Sequence, residues 1–281
     1  MHRLEAVYVE QRTAMEEVLG LKTLRGSLAK LKPADQVLAI DLRDRDPLEA
    51  MTSVPFEKGR LFLQYLDAKF GRERFDAFLR GYFDHFAFKS VNTDQFLSYL
   101  QENLLDRYPG IVTRAQVNDW VLKPGLPADA VLPATTAFQV VDDARNSWLS
   151  GKEPLKKIGG DWLAQQWIYF LDGMPAALTA AQLTDLDKSL SLSKTPNAEI
   201  GHSWFMLVVA NDYQPAFAHL ENYLETIGRV KFIEPLYQGL MRTSSGAVVA
   251  KRVFKKARPG YHPITAKAIE AIVEPKDDSA E

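Results

Sequence analysis

The apolar positions of this chain recur mainly with the helical period of about 3.6 residues. In residues 72–88 the large apolar side chains stand at i, i+3, i+4 and i+7, which gives one broad apolar stripe. They are Phe75, Phe78, Leu79, Tyr82, Phe83 and Phe86. Residues 57–70 show the same period and end before Gly71, which can terminate a helix with a positive φ angle. The pattern predicts two consecutive core helices.

Polar residues that suit helix starts mark further helices. Asn92 with Gln95, and Thr179 with Gln182, have the spacing of a capping box, and Asn197 is a favourable N-cap residue. In the second half the pattern predicts helices over residues 161–171, 179–190, 197–210, 214–227, 233–241, 245–256 and 262–273. We expect Gly228 to stop the helix before it. The chain is therefore predicted to be all-α.

Two prolines and a glycine interrupt the helical pattern near the middle of the chain. Pro124, Gly125 and Pro127 follow Trp120 closely, and a continuing helix cannot accommodate them. We therefore predict two domains, residues 1–128 and 133–281. Short connections in the second domain make neighbouring helices pack antiparallel, which predicts a C-terminal α-solenoid of the ARM/HEAT type.

Composition excludes several classes of function. The 281 residues are 46% hydrophobic, enough for two cores. The 34 basic and 36 acidic residues give a net charge of −2, so no global field favours nucleic acid or an anionic membrane. Cysteine is absent, which excludes disulfides and thiolate chemistry. We find no signal peptide and no apolar run of membrane-spanning length, so a cytoplasmic protein is expected.

Charged clusters give weak functional signals. A basic cluster near the end of the chain has helical spacing and predicts a solvated face more strongly than a nucleic-acid site. Its members are Lys251, Arg252, Lys255, Lys256 and Arg258. Asp41, Asp44 and Asp46 lack the glycine turn and distal glutamate of a calcium loop, so they predict a charged loop. The five histidines are His2, His85, His202, His219 and His262, and no two can share a helix face. No metal site is predicted.

Four short motifs resemble those of one enzyme family. Residues 52–59, TSVPFEKG, resemble the SVPYEKG segment of the family M1 zinc aminopeptidases related to leukotriene A4 hydrolase and aminopeptidase B. Residues 120–127, 228–236 and 262–265 are similar to that family's W…PGLP, GR.KF..PL and HP.T motifs, in the same order. The resemblance covers nearly the whole chain. It implies the helical lobe of a thermolysin-like catalytic domain, followed by the family's C-terminal helical domain.

The resemblance also implies that the catalytic metal is bound elsewhere. The family binds zinc through H-E-x-x-H and a later carboxylate, both N-terminal to the segment that residues 1–8 resemble. We therefore expect a fragment or split partner that begins after the last zinc ligand, has no cofactor of its own and is not active alone.

One active-site group of the family is replaced in this sequence. The family's tyrosine, which donates a hydrogen bond to the oxyanion, corresponds to Phe56, so that hydroxyl is missing. Met51 stands where leukotriene A4 hydrolase has a second tyrosine, and we expect it to pack against a helix. Glu57 and Lys58 fit a structural role at a helix start, with Lys58 pointing to water. His262 is expected to start a helix or turn.

The GR.KF motif implies a substrate-binding role for two cations. In the family the arginine and the nearby lysine bind the carboxylate end of a short peptide, and these positions are Arg229 and Lys231. A guanidinium can bind a carboxylate through two hydrogen bonds, and a lysine adds a point charge. The alternative is that both residues complement a helix dipole or are simply solvated.

Two functional hypotheses follow. The first is part of a zinc aminopeptidase that removes N-terminal residues from peptides, and the intact motifs favour it. The second is a non-catalytic helical protein that binds a peptide or protein, and Phe56 favours it. Under the first, an N-terminal catalytic half or self-association should cover apolar faces within residues 1–110. We expect those faces to carry Leu61, Tyr65, Phe75, Phe78, Tyr82 and Phe86.

Overall fold

A computed structural model describes residues 10–155 and 158–275. These residues form α-helices joined by turns and short 3₁₀ or π-helical segments, and no described residue lies in a strand. In chain order the helices are α1 Glu10–Leu28, α2 Gly59–Phe70, α3 Arg72–His85, α4 Thr93–Leu100, α5 Arg114–Leu122, α6 Gln139–Leu149, α7 Ala164–Asp172, α8 Ala180–Leu190, α9 Ala198–Ala210, α10 Phe217–Thr226, α11 Val230–Leu240, α12 Ser244–Ala257 and α13 Pro263–Val273. The predicted all-α class is confirmed.

The helices divide into two compact units between Thr135 and Thr136. The first unit contains α1–α5 and the second contains α6–α13. The domain limits predicted from the sequence lie close to this division.

The core of the first unit is built around α2. Its buried face carries Leu61, Phe62, Tyr65 and Leu66. The indole of Trp120 from α5 packs against this face, with ring centroids 5.6 Å from Tyr65 and 5.9 Å from Phe62. The segment before α2, Val54–Lys58, is a single π-helical turn. The family-type motif at residues 52–59 therefore lies at the edge of this core.

In the second unit alternate helices pack on one another. Helix α7 packs against α9, α9 against α11, and α11 against α13, while α10 packs against α12. Helices that are next to each other in sequence thus fall into two layers, the arrangement of an α-solenoid.

Several local predictions are confirmed. Both capping boxes form, with Asn92 and Gln95 starting α4 and Thr179 and Gln182 starting α8. Gly71 ends α2 with φ at 82°. These signals succeeded because each depends on backbone and side-chain groups within a few residues of one another.

Other local predictions were wrong. Gly228 does not stop α10 through a left-handed conformation, since α10 ends at Thr226 and Ile227 is extended. Helix α11 begins at Val230, three residues earlier than predicted, and contains Pro235. The pattern also missed α1, α5 and α6. The first two lie where the sequence shows little separation of apolar and polar faces.

Candidate substrate-binding site

The two predicted substrate-binding cations lie together at the start of α11. Arg229 is the N-cap residue and Lys231 is the second residue of the helix, and both side chains are exposed. Both approach the ring of Phe232, with the guanidinium carbon of Arg229 at 5.2 Å from the ring centroid and Nζ of Lys231 at 5.5 Å. Phe232 itself is buried. One aromatic ring therefore brings the two cations to one place.

The local electrostatics favour an anion at this position. The N-terminal end of a helix carries a partial positive charge and unpaired N–H groups. No side chain caps the start of α11, and neither Arg229 nor Lys231 forms an ion pair with a described carboxylate. Cations at this end do not complement the dipole of α11, and Arg229 lies three residues after the last residue of α10. The arrangement can bind a carboxylate or another small anion.

Hydrogen bonds from α13 and its preceding turn fix the turn between α10 and α11. Oγ1 of Thr265 donates to the carbonyl oxygen of Gly228 at 3.2 Å. The hydroxyl of Tyr261 donates to the carbonyl oxygen of Leu224 at 2.5 Å, and the hydroxyl of Tyr237 therefore donates to Tyr261, at 3.1 Å. The bonds from Thr265 and Tyr261 satisfy carbonyl oxygens near the end of α10 that no helical partner reaches, and the bond from Tyr237 holds the hydroxyl of Tyr261 in place. The turn that carries Arg229 is held in place.

A histidine that the sequence analysis did not single out contacts the same turn. Nδ1 of His202 on α9 lies 2.9 Å from the carbonyl oxygen of Phe232. His202 is partly buried, and burial lowers the pKa of its imidazole. No sequence signal joins it to α11, which lies about 30 residues further along the chain.

The residue at the family's tyrosine position lies in the first unit. Phe56 stands in the π-helical turn before α2, and 61% of its surface is exposed. Met51 is also exposed, at 67%, so the prediction that it packs against a helix was wrong. No described helix covers this side of the turn, so two large apolar side chains remain in contact with solvent.

Lys58 does not point to water. Its side chain is fully buried, and Nζ donates to the carbonyl oxygens of Gln36 at 2.9 Å and Lys123 at 2.7 Å. Burial lowers the pKa of this amine to about 8. The lysine next to Glu57 in the motif is therefore a structural link between three segments of the first unit.

A groove of about 770 Å³ opens beside Phe56 in the first unit. Its lining is mainly apolar and includes Phe62, Leu63, Leu79, Phe83 and Phe96. The carboxylate of Asp67 also borders the groove: one oxygen forms an ion pair with Arg72 at 3.0 Å, and the other is buried with no hydrogen-bond partner. The groove thus combines an apolar lining with an acceptor that lacks a donor.

The prediction of uncovered apolar faces in the first unit was only partly correct. Leu61, Tyr65, Phe75 and Phe78 are buried within the first unit's own core, because α5 and the segment after α4 cover them. Tyr82 and Phe86 are partly buried, and the exposed large apolar side chains of this unit include Phe56, Leu63, Phe83 and Phe88.

The other candidates lie in ordinary surface positions. Lys251, Arg252, Lys255, Lys256 and Arg258 are exposed, and three of the five form ion pairs with glutamates. His262 is the N-cap of α13, as predicted.

The aspartates predicted to form a charged loop lie in one: Asp41 pairs with Arg43, and Asp44 has a positive φ. Among residues 10–155 and 158–275, no three His, Asp or Glu side chains are placed to bind a metal ion. No described helix is long and apolar enough to cross a membrane.

Comparison with known proteins agrees with the fold and the motifs. Residues 10–120 match the model of the peptidase family M1 domain, and residues 162–273 match that of the leukotriene A4 hydrolase C-terminal region. The chain belongs to peptidase family M1, in the branch of leukotriene A4 hydrolase and aminopeptidase B.

Individual relatives support this assignment. Leucine aminopeptidase 2 of Yarrowia lipolytica is 29% identical, with 91% of this chain and 42% of the relative aligned. Aminopeptidase B of Mus musculus is 27% identical, with 83% and 38% aligned. The structure of yeast LTA4 hydrolase in complex with bestatin superposes with a TM-score of 0.78 at 26% identity, covering 96% of this chain and 48% of that one. The chain therefore spans less than half the length of the relatives that it matches.

Proposed function

We propose that this chain is the part of an M1 zinc aminopeptidase that binds the carboxylate end of a peptide substrate, and that it is not active alone. The observation that carries this proposal is the pair of exposed cations, Arg229 and Lys231, on one buried ring at an uncapped helix start. A peptide carboxylate placed there would accept hydrogen bonds from the guanidinium and from free backbone N–H groups.

In this proposal zinc is bound by a separate part of the enzyme. The described residues do not fit the metal, since they offer no group of three suitable ligands. Zinc in that part would polarise the peptide carbonyl, as in other zinc peptidases. This chain would hold the substrate by its far end.

We infer that the zinc-bearing part occupies the groove beside Phe56. The groove has a mainly apolar lining, and Phe56, Leu63 and Phe83 on it are exposed to solvent, which suits contact with another protein surface. The relatives are more than twice as long as the stretch that this chain matches, so they contain further chain able to fill such a groove.

We call the pair Arg229 and Lys231 the clamp, and its binding of a carboxylate can be tested on the isolated chain. An acetylated tripeptide with a free carboxylate and the same peptide as its amide are titrated by calorimetry or NMR. We expect the acid to bind more tightly, and Arg229→Ala to weaken its binding by about tenfold or more, as for loss of a charged hydrogen-bonding partner. Arg252→Ala is the matched control, because Arg252 is an exposed arginine paired with Glu221 elsewhere in the same unit. Equal binding of acid and amide would contradict the clamp.

A non-catalytic peptide-binding protein is the second candidate. The phenylalanine at position 56 favours it, because a phenylalanine cannot donate the hydrogen bond expected of the family's tyrosine. The two candidates differ in one measurement. Adding a zinc-bearing half from a relative should give aminoacyl-anilide hydrolysis under the first and none under the second.

A further inference from the structure

The carbonyl group of Phe232 binds a histidine that the clamp itself does not include. His202 Nδ1 lies 2.9 Å from this oxygen, and the two rings are 5.5 Å apart between centroids. A carbonyl oxygen only accepts hydrogen bonds, so Nδ1 carries the proton and a second proton would go to Nε2. The imidazole is therefore held on the residue that also contacts Arg229 and Lys231.

The first turn of α11 needs support from outside the helix. Pro235 has no N–H group and cannot bond to the carbonyl oxygen of Lys231 four residues earlier. This turn thus lacks one of its own hydrogen bonds, just where the two cations project. Helix α9 packs against α11, and the bond from His202 to Phe232 joins the two at this turn.

Burial and charged groups on three helices shift the pKa of the His202 imidazole. Burial lowers the pKa of the imidazole, and Lys231 on α11 lowers it further. The hydrogen bond to Phe232, Asp172 on α7 and Glu199 on α9 raise it, but burial outweighs them. The ring is therefore neutral at neutral pH and takes up its second proton at a lower pH than an unperturbed histidine would.

We propose that His202 is a positioning residue for the Arg229 and Lys231 clamp, and that its protonation strengthens the binding of a peptide carboxylate. The inference rests on the proposed clamp. Neutral His202 fixes the first turn of α11 through its bond to Phe232. Protonated His202 keeps that bond and adds a third positive charge close to the anion.

The test compares the affinity of the full chain for the acetylated tripeptide acid at about pH 7.5 and about pH 5.5, a range in which the peptide carboxylate stays ionised. We expect binding to tighten on the order of threefold, the effect of one partly screened charge. His202→Asn can still donate to the carbonyl oxygen of Phe232 but cannot become charged. It should keep the affinity at the higher pH and lose the gain at the lower pH.

His219→Asn is the control, since His219 lies on α10 and should leave the gain intact. A pH gain that survives in His202→Asn, or an equal affinity of the unaltered chain at both pH values, would overturn the inference while leaving the clamp standing. A second readout does not depend on peptide binding.

In the free chain, the backbone amide resonances of Lys231 and Phe232 should titrate together with the His202 ring. Amides that do not follow the ring would overturn the positioning role. The backbone resonances could follow the His202 ring in a chain that binds the peptide acid no better than the peptide amide. That result would support the positioning role and overturn the clamp.

Discussion

The amine of Lys58 lies 2.7 Å from the carbonyl oxygen of Lys123, although 65 residues separate them in the sequence. A second bond joins the same amine to Gln36. No carboxylate contributes to either bond. Two carbonyl oxygens need only two N–H groups, so the neutral amine can satisfy both. A lysine that can lose its charge without losing its partners should make stability depend on pH.

We predict that the free energy of unfolding rises with pH between about 8 and 10.5 because of Lys58. Its pKa is about 8 in the folded chain and 10.5 in the unfolded chain, so in this range the unfolded chain binds more protons. This stabilisation is complete above the pKa of Lys58 in the unfolded chain and is lost as the pH falls through its pKa in the folded chain. The free energy of unfolding changes by about 3 kcal/mol over the full range. Chemical denaturation across this range should show that the free energy of unfolding rises more steeply with pH for the unaltered chain than for Lys58→Met. Equal slopes would contradict the prediction.

A second prediction concerns the close contact between α9 and α11. A Cβ atom added at Gly239 would lie 2.6 Å from Cγ2 and 3.1 Å from Cβ of Val209, which is buried. Gly239→Ala should therefore lower stability by about 1–3 kcal/mol, despite the better helix propensity of alanine. Gly26→Ala in α1 meets no atom within 4 Å and should raise stability by up to about 1 kcal/mol. Thermal or urea denaturation measures both changes in stability, and a Gly239→Ala variant as stable as the unaltered chain would show that α9 and α11 separate easily.

The buried tyrosine pair behind the clamp supports a third prediction. Tyr261→Phe removes the donor to the carbonyl oxygen of Leu224 and also the acceptor that Tyr237 uses, so we expect a loss of about 1–3 kcal/mol. Tyr237→Phe removes a single donor and should cost about 0.5–1.5 kcal/mol. Urea denaturation of both variants tests the order. A larger loss for Tyr237→Phe would mean that the hydroxyl of Tyr261 does not anchor the end of α10.

The sequence predicted those features whose partners lie close together along the chain. Thr179 and Gln182 form a capping box within a single helical turn, and their spacing alone revealed it. Lys58 could not be predicted in the same way, because its acceptors come from two distant loops. The bond from His202 to Phe232 could not be predicted either, because it depends on how two helices pack.

The candidate site was predictable only through the family resemblance. Arg229 and Lys231 carry no periodic or spacing signal of their own. Their position at the positive end of α11 became evident once the helix was seen to begin at Val230. The sequence pattern had placed that start three residues later, at Ile233.

The fourth prediction concerns Phe56 in the assembled enzyme. With a zinc-bearing half supplied, Phe56→Tyr should raise kcat on the order of 100-fold and change KM much less, because the new hydroxyl would act mainly on the transition state. Phe88→Tyr is the control, since Phe88 is a fully exposed phenylalanine outside the motif. An unchanged kcat for Phe56→Tyr would mean that this position does not face the reacting carbonyl.

The last prediction concerns the groove in the absence of its proposed occupant. Phe83 lines the groove and is 67% exposed, so the isolated chain should self-associate through this surface as its concentration rises. Phe83→Glu places a charge there and should shift the chain toward monomer. Val248→Glu replaces a similarly exposed apolar side chain on α12 in the second unit and should leave the association unchanged. Sedimentation or light scattering measures all three. If the unaltered chain stays monomeric at high concentration, or if both substitutions have an equal effect, the groove is not the surface through which the chain self-associates.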